Sequence, residues 1–214
     1  KDSFLLHYNL WNRSLTKQTM TEDGTRFGGR DGEEILDMVK RTINFSYKRN
    51  LKIGVITFRT LVGEIRNHFG DKVDVISYFG GHQGSNQLDD VDVLIIVGTY
   101  HIHQNGLYQN HFIINNEYLA DNHSGWGGKN NKIINGMQIN LSDNEDLNLV
   151  KLYKLNEEHQ QSIFRSGAHI NPGKLVVSFG FVPEGVEKNI IYRKFQNKNS
   201  LLAHLNILKD KIGS

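Results

Sequence analysis

The chain has 214 residues, 38% of them hydrophobic, which is enough to bury the core of one large α/β domain or of a small pair. Its 25 basic and 23 acidic residues nearly balance, so the net charge does not identify a nucleic-acid-binding protein, and any basic surface must be local. The absence of cysteine excludes disulfides and thiolate chemistry. No apolar run approaches the roughly 18 residues of a membrane span, and no signal-peptide pattern opens the chain, so we expect no membrane partner and a cytoplasmic location.

The first 30 residues are predicted to form an N-terminal arm or loop ahead of the main domain, which spans residues 31–214. Residues 4–11 fit either a strand or a short packed arm, and the polar, glycine-rich segment after them fits a loop. A helix is predicted to follow, because Asp31 stands at the N-cap position and apolar residues recur at helical spacing as far as Tyr47. The chain begins with Lys1 rather than with Met, which leaves open whether it is a fragment.

Three apolar runs and the patterns between them predict a parallel sheet. Residues 51–58, 72–79 and 91–97 are short, largely apolar and bounded by polar residues, as strands buried on both faces are. A helical pattern from Thr60 to Gly70 separates the first two runs. The order helix, strand, helix, strand, loop, strand predicts an α/β fold with crossover helices.

The segment of about residues 99–155 breaks this alternation and is predicted to be an insertion. It is rich in His and Asn and is interrupted by glycine. Residues 132–140 and 147–155 have the pattern of two strands, and the turn-forming segment SDNED joins them. This arrangement predicts a β-hairpin inside the insertion.

The C-terminal part is predicted to return to the α/β pattern. Asn156 is expected to cap a short helix over residues 157–166. An apolar run at residues 174–181 predicts a further buried strand, and residues 189–195 can pair beside it. Leucines at helical spacing predict a last helix that starts at Ser200.

A glycine-rich loop between the second and third apolar runs is the first candidate for a binding site. It contains Gly80, Gly81 and Gly84, followed by Ser85 and Asn86. Glycine lets the backbone come close to a ligand, and free N–H groups in such a loop can hold phosphate. A tight turn uses glycine for the same conformational freedom, so the loop by itself is also compatible with a purely structural role.

The second candidate is Arg165, which is predicted to lie on a helix just before a buried strand. In a parallel sheet the loop around Asn86 and this helix would face one edge, so we expect the two groups to lie together. The loop would then bind ribose or phosphate, and Arg165 would meet charge on a transferring phosphoryl group. Alternatively, Arg165 is a surface residue that forms a salt bridge.

Three segments resemble motifs IV, V and VI of the second RecA-like domain of superfamily 2 helicases, most closely the viral and primase-associated branch. They read GVITF at residues 54–58, HQGSNQLDDVDVLIIVG at residues 82–98 and EEHQQSIFRSG at residues 157–167. The resemblance spans about residues 35–185 and implies a RecA-like α/β fold, mainly a parallel sheet flanked by helices. It also implies ATP with Mg²⁺ as cofactor, and DNA or RNA together with a first RecA-like domain, in cis or in trans, as partners.

The same resemblance implies roles for individual residues in the nucleotide site. Gly84 and Asn86, with Ser85 between them, are expected to approach the nucleotide and to couple it to nucleic acid. Gln161 and Arg165 are expected to contact the ATP phosphates as the catalytic residues of this half of the site. The function implied is the C-terminal motor domain of an ATP-dependent helicase or translocase.

Contacts to nucleic acid are expected at three further residues. Thr57 and His82 belong to the segments that resemble motifs IV and V, and the indole of Trp126 can stack on a base. The absence of cysteine and the abundance of asparagine suit a virus or plasmid of an AT-rich host, for which the location would be the interior of the host cell.

Two departures from the family bear on catalysis. The family usually has a second arginine three residues after the first, where this chain has Ala168. No GxxxxGK[ST] segment and no convincing DExx-type metal motif occur in the sequence. The chain is therefore expected to be half of a larger helicase, to act with a partner or to be a non-catalytic derivative, and to show little or no ATPase activity alone.

Two alternative functions stay open. A non-catalytic RecA-like module would bind nucleic acid or support assembly, with the missing second arginine as its signature. A metal-dependent nuclease would use Asp90 and Asp92 together with histidines. Solvation at a strand edge is the favoured explanation of these carboxylates, and no regular spacing supports a zinc site at His101 and His103, so we predict no metal site.

Overall fold

The computed structural model describes residues 2–10, 13–81, 86–115, 130–188 and 190–213. Eight strands lie in these ranges: β1 (Phe4–Tyr8), β2 (Ile53–Thr57), β3 (Val75–Tyr78), β4 (Val93–Val97), β5 (Asn130–Ile134), β6 (Met137–Leu141), β7 (Leu175–Phe179) and β8 (Ile191–Phe195). Six α-helices accompany them: α1 (Lys17–Met20), α2 (Gly32–Tyr47), α3 (Val62–Phe69), α4 (Gln104–Asn115), α5 (Glu145–Phe164) and α6 (Lys198–Leu208). Single 3₁₀ turns occur at Arg59–Leu61, Gly70–Lys72 and Val186–Lys188.

Six of the strands form one sheet in which every neighbouring pair is parallel, in the order β3-β2-β4-β7-β1-β8. Every residue of β1, β2, β4 and β7 is buried, whereas the edge strands β3 and β8 are partly exposed. Burial on both faces is the reason that the inner strands read as continuous apolar runs. The predicted α/β fold, with a mainly parallel sheet flanked by helices, is confirmed, and it agrees with a RecA-like or Rossmann-type arrangement.

The N-terminal segment contributes an inner strand of this sheet. Phe4 pairs with Leu175 of β7 on one side and with Ile191 of β8 on the other. The sequence left open a strand or a packed arm for residues 4–11, and Phe4–Tyr8 of this range form a strand. The predicted division at residue 30 therefore does not separate β1 from the sheet.

Helices cover both faces of the sheet. On one face, α2, α3 and α6 contribute Val39, Ile65 and Leu205 to a large apolar core. On the other face, Ile163 of α5 packs in a second core with Leu88, which precedes β4. Because successive residues of a strand point to opposite faces, each inner strand contributes side chains to both cores.

The hairpin of the insertion lies at a different place from the one predicted. Strands β5 and β6 pair antiparallel around Asn135 and Gly136, which have φ angles of 50° and 80°. Two residues of positive φ joining two strands are typical of a type I′ turn, for which Asn-Gly is the preferred sequence. The prediction of a single strand over residues 132–140 was wrong, because this dipeptide reverses the chain in the middle of it.

Residues 147–155 are helical and do not form the second strand of that hairpin. They belong to α5, whose N-cap Asn144 accepts a hydrogen bond of 3.0 Å from the backbone N–H of Leu147. The predicted strand and the predicted short helix after Asn156 are thus one helix of 20 residues. Its buried residues recur at helical spacing: Leu147, Val150, Lys151, Leu155, Glu158, His159, Ser162 and Ile163. The partial alternation of apolar and polar residues in the same stretch led to the wrong prediction.

Candidate functional site

One side of α5 carries both predicted catalytic residues. Glu158, Gln161 and Arg165 are spaced three and four residues apart, so they share one side of the helix and span about 10 Å along its axis. The helix ends at Arg165, whose backbone N–H donates to the carbonyl of Gln161 at 3.0 Å. Gly167 then adopts a φ of 69°, a conformation that suits glycine, and leads the chain away. We call this side of the helix the α5 face.

The glycine-rich loop begins beside the α5 face. The backbone N–H of Gly80 donates a hydrogen bond of 2.7 Å to Oε1 of Glu158. Gly80 has a φ of 77°, which allows the chain to turn directly after β3. Because Glu158 is only 7% exposed, its carboxylate is held in place and determines where the loop leaves the sheet.

The other end of this loop lies near Arg165, which is two helical turns after Glu158 on the α5 face. The carbonyl of Asn86 accepts a hydrogen bond of 3.1 Å from the backbone N–H of Asp89, and the side chain of Leu88 between them is buried in the core. Asp89 lines a cleft of about 510 Å³ whose other wall includes Gln161 and Arg165. Asn86 is exposed at the start of this turn and does not itself line the cleft.

A buried histidine positions α5 against the carboxyl end of β4. Nε2 of His159 accepts a hydrogen bond of 2.9 Å from the backbone N–H of Tyr100, which follows β4. The imidazole is fully buried, and its ring centroid lies 5.3 Å from that of Phe79 and 5.6 Å from that of Phe181. These contacts hold the neighbouring residue Glu158 at the end of β3.

A second cleft, of about 570 Å³, adjoins the first and shares Glu157, Gln161 and Arg165 with it. Tyr100, Asn110 and Lys154 complete much of its lining. Lys154 was missed because residues 147–155 were predicted to be a strand, whereas Glu157 lay on the predicted helix and was given no role. Their spacing of three residues on a helix was the signal that could have placed them beside Gln161.

The charges around Arg165 are mixed. The carboxylates of Asp89, Glu157 and Glu158 line the two clefts together with the cations of Lys154 and Arg165. Nζ of Lys154 lies 2.8 Å from Oε2 of Glu157, and this hydrogen bond raises the pKa of the lysine. The planar fork of Arg165 can bind one phosphate group in such surroundings. A polyphosphate needs a counter-ion or a second protein surface as well, because carboxylates repel it.

Several of the residues predicted to bind ligands cannot be compared with this geometry. Gly84, Ser85, His82 and Trp126 lie outside the described residues. Thr57 is described and is fully buried at the end of β2, where its hydroxyl donates to the carbonyl of Val97 at 3.2 Å. This bond links two neighbouring strands, and the predicted contact of Thr57 with nucleic acid stays a prediction.

Of the carboxylates considered for a metal site, Asp92 has a structural role. Oδ2 of Asp92 accepts a hydrogen bond of 2.9 Å from the backbone N–H of Lys52 and so joins the starts of two strands. Asp89 and Asp90 are exposed. Within the part of the chain that the structure describes, no group of three or more His, Cys, Asp or Glu side chains could hold a metal ion.

Comparison with protein-family models, with curated proteins and with solved structures finds no match for this chain. Across the described ranges, no helix has both the length and the apolar character that crossing a membrane requires. The geometry of the site is therefore the basis for the function proposed below.

Proposed function

We propose that this chain is the second, C-terminal RecA-like domain of an ATP-dependent helicase or translocase of superfamily 2. One observation carries the proposal: the glycine-rich loop starts on the α5 face and ends across a cleft from it. The loop starts with Gly80 on Glu158 and returns at Asp89, in the cleft lined by Gln161 and Arg165. Backbone N–H groups of a glycine-rich loop beside an arginine suit a phosphate ligand.

The residues of the α5 face fit one half of a nucleotide site. ATP with Mg²⁺ supplies the phosphoryl group and a counter-ion for the acidic side chains of the clefts. In this role Arg165 donates from its guanidinium to phosphate oxygens, and Gln161 presents its amide one turn earlier on the same face. Asn86 lies where the loop leaves the site, and in this role it couples the bound nucleotide to the contacts with nucleic acid.

The proposed mechanism is relative movement of two domains. Nucleotide bound between them stabilises the closed form, and its loss releases that form. This chain supplies one wall of the nucleotide cleft and part of the nucleic-acid track. The phosphate-binding lysine of a GxxxxGK[ST] segment must come from the first domain, because this sequence contains no such segment.

A second candidate function is a RecA-like module that binds nucleic acid or supports assembly without hydrolysis. It is favoured by the position of Ala168, which is 3% exposed and packs in the core beside Ile163. The family's second arginine would stand at this position, where this chain has only the methyl side chain of Ala168. Arg165 alone must therefore provide the arginine function if the motor is active.

The decisive experiment measures ATP hydrolysis by the chain together with the polypeptide that carries the first RecA-like domain, in the presence of single-stranded DNA or RNA. Sequencing the gene upstream of Lys1 for a GxxxxGK[ST] segment identifies that polypeptide if the two domains are joined. Truncation of Arg165 to Ala is expected to lower kcat by roughly 10³-fold, the usual effect of removing such an arginine. The chain alone is expected to hydrolyse ATP at the background rate.

Arg193→Ala is the matched control, because Arg193 is an exposed arginine on the edge strand β8. It is expected to keep the hydrolysis rate of the wild type. Hydrolysis that survives Arg165→Ala undiminished would remove the motor assignment. Nucleic-acid binding without hydrolysis, even with the first domain present, would instead favour the non-catalytic module.

A further inference from the structure

The sheet has a topological switch point between β2 and β4. After β2 the chain passes through α3 to β3 on one side, whereas after β4 it passes through α5 to β7 on the other side. In open parallel sheets, ligands bind in the crevice outside the carboxyl ends of the strands at such a point. A cleft of about 440 Å³ opens there, lined by Phe58 just after β2 and by Thr99 just after β4. We call it the switch-point cleft.

The charged side chains that line the switch-point cleft are basic, and neutral polar residues and Phe58 complete the lining. Lys17 comes from α1, Lys151 from α5, and His101 and His103 from the segment after β4. Among the described residues that line it there is no aspartate or glutamate. This composition differs from that of the clefts beside Arg165, in which carboxylates accompany the cations, and it favours an anionic ligand.

Lys151 is the central cation of this cleft. It is 6% exposed, and its Nζ donates to the backbone carbonyl of Asn140. Burial lowers its pKa to about 8, so most of the lysine is still protonated at neutral pH. A buried ammonium group is costly in free energy, and an oxyanion bound beside it would offset part of that cost.

His101 lies close enough to Lys151 for the lysine charge to act on it. Burial, and then that charge, lower the pKa of His101 to about 4, so its imidazole is neutral at pH 7. Its Nε2 is buried and has no hydrogen-bond partner among the described residues. A buried polar atom without a partner is uncommon in a folded protein, and here it lies in a cleft where a ligand oxygen can accept a hydrogen bond from it.

We propose that the switch-point cleft binds the phosphate group of a small phosphorylated molecule, with Lys17 and Lys151 supplying charge and His101 a hydrogen bond. Its volume is within the range of small-molecule sites, and both α1 and α5 contribute side chains to its lining. A compact cleft of this kind suits a single phosphate monoester better than a long strand of nucleic acid. The site does not depend on the function proposed above, since it shares no residue with the α5 face.

The test is calorimetric titration of the purified chain with sodium phosphate and with sodium pyrophosphate, at constant ionic strength and neutral pH. Saturable binding is expected, and Lys17→Met is expected to weaken it about tenfold, the effect of one charge-assisted hydrogen bond. Lys17 is partly exposed, so this variant should keep the fold. Lys151→Met is expected to weaken binding at least as much, and its circular dichroism shows whether it folds.

Lys52→Met is the matched control, because Lys52 is exposed and precedes β2 at the opposite edge of the sheet. It should bind phosphate like the wild type, because Lys52 does not line the switch-point cleft. Absence of saturable binding, or an equal loss in Lys17→Met and Lys52→Met, would overturn the proposal. A third result would also overturn it: a single-stranded oligonucleotide binds in a way that depends on Lys17, while neither phosphate salt binds. That result would assign the cleft to a nucleic-acid backbone.

Discussion

The backbone N–H of Gly80 donates a hydrogen bond of 2.7 Å to the side chain of Glu158, although the two residues lie 78 positions apart in the chain. This contact ties the start of the glycine-rich loop to α5, and Glu158 is 7% exposed. Glu158→Ala should lower the free energy of unfolding by about 1–3 kcal/mol, because it leaves a buried donor without its charged acceptor. Urea unfolding measures this loss, and hydrogen exchange at Gly80 locates it.

Glu158→Gln is the control for that experiment, since its amide oxygen can still accept the hydrogen bond from Gly80. It should lose clearly less stability than Glu158→Ala. If Glu158→Ala unfolds at the same urea concentration as the wild type, the contact does not anchor the loop.

Stability is expected to fall as the solution becomes acidic, because His7 is fully buried in β1. Burial, and then the charge of Lys194, lower its pKa from 6.5 to about 3. Between these two pH values the unfolded chain therefore binds a proton that the folded chain does not. The stability contributed by neutral His7 is complete above pH 6.5 and is lost as the pH falls toward 3. At pH 5 the loss from this one histidine amounts to about 2 kcal/mol.

Urea unfolding of wild type and His7→Leu at pH 7, 6 and 5 checks this dependence. His7→Leu removes the hydrogen bond of 2.9 Å to the hydroxyl of Tyr192, so it is expected to be less stable at pH 7 but to lose less on acidification. A substitution of the exposed His103 by Asn should keep the pH dependence of the wild type. Parallel curves for wild type and His7→Leu would exclude His7 as the cause.

Two glycines should respond to alanine in opposite directions. Gly136 closes the hairpin with a φ of 80°, and an added Cβ would lie 2.2 Å from the side-chain nitrogens of Asn9 and Lys194. Gly136→Ala is therefore expected to destabilise the fold by at least about 1 kcal/mol. In α3, nothing lies within 4 Å of a Cβ added at Gly63, so Gly63→Ala should stabilise the fold by about 0.5–1 kcal/mol. Thermal unfolding of both variants measures the difference, and a shift of the same sign in both would contradict it.

Replacement of Ala168 by arginine should destabilise this protein, although superfamily 2 helicases usually have their second arginine at the corresponding position. Ala168 is 3% exposed in the core, so Ala168→Arg would bury a large cation and is expected to cost about 3 kcal/mol or more. Ile170→Arg, two residues further, is the control, because Ile170 is 72% exposed. Expression level and urea unfolding compare the stability of the two variants with that of the wild type. A stable Ala168→Arg protein would mean that the core can open at this position.

The positions of the inner strands were predictable from the sequence. A strand of a parallel sheet is buried on both faces, so β2, β4 and β7 appear as apolar runs that need no knowledge of their neighbours. The hairpin was predictable in principle, because Asn135-Gly136 is a local turn signal. Residues 147–155 were harder, since their leucines fit a strand and a helix over so short a stretch.

The candidate site was predictable only in part. That Gln161 and Arg165 share one side of a helix follows from their spacing, whereas the contact of Glu158 with Gly80 depends on how α5 crosses the sheet. No local pattern pairs residues 78 positions apart, and the order of the strands decides which loops meet the helix.

Local patterns of side-chain size and polarity thus determined the fold class of this protein, the inner strands β2, β4 and β7, and one side of α5, because those patterns reflect burial of each segment by itself. The tertiary structure alone decided that β1 lies inside the sheet, that the start of the glycine-rich loop is bonded to α5, and that two lysines from distant segments line a cleft between β2 and β4. These features come from the order in which separate segments pack against one another, and the free energy of that packing belongs to no single stretch of sequence.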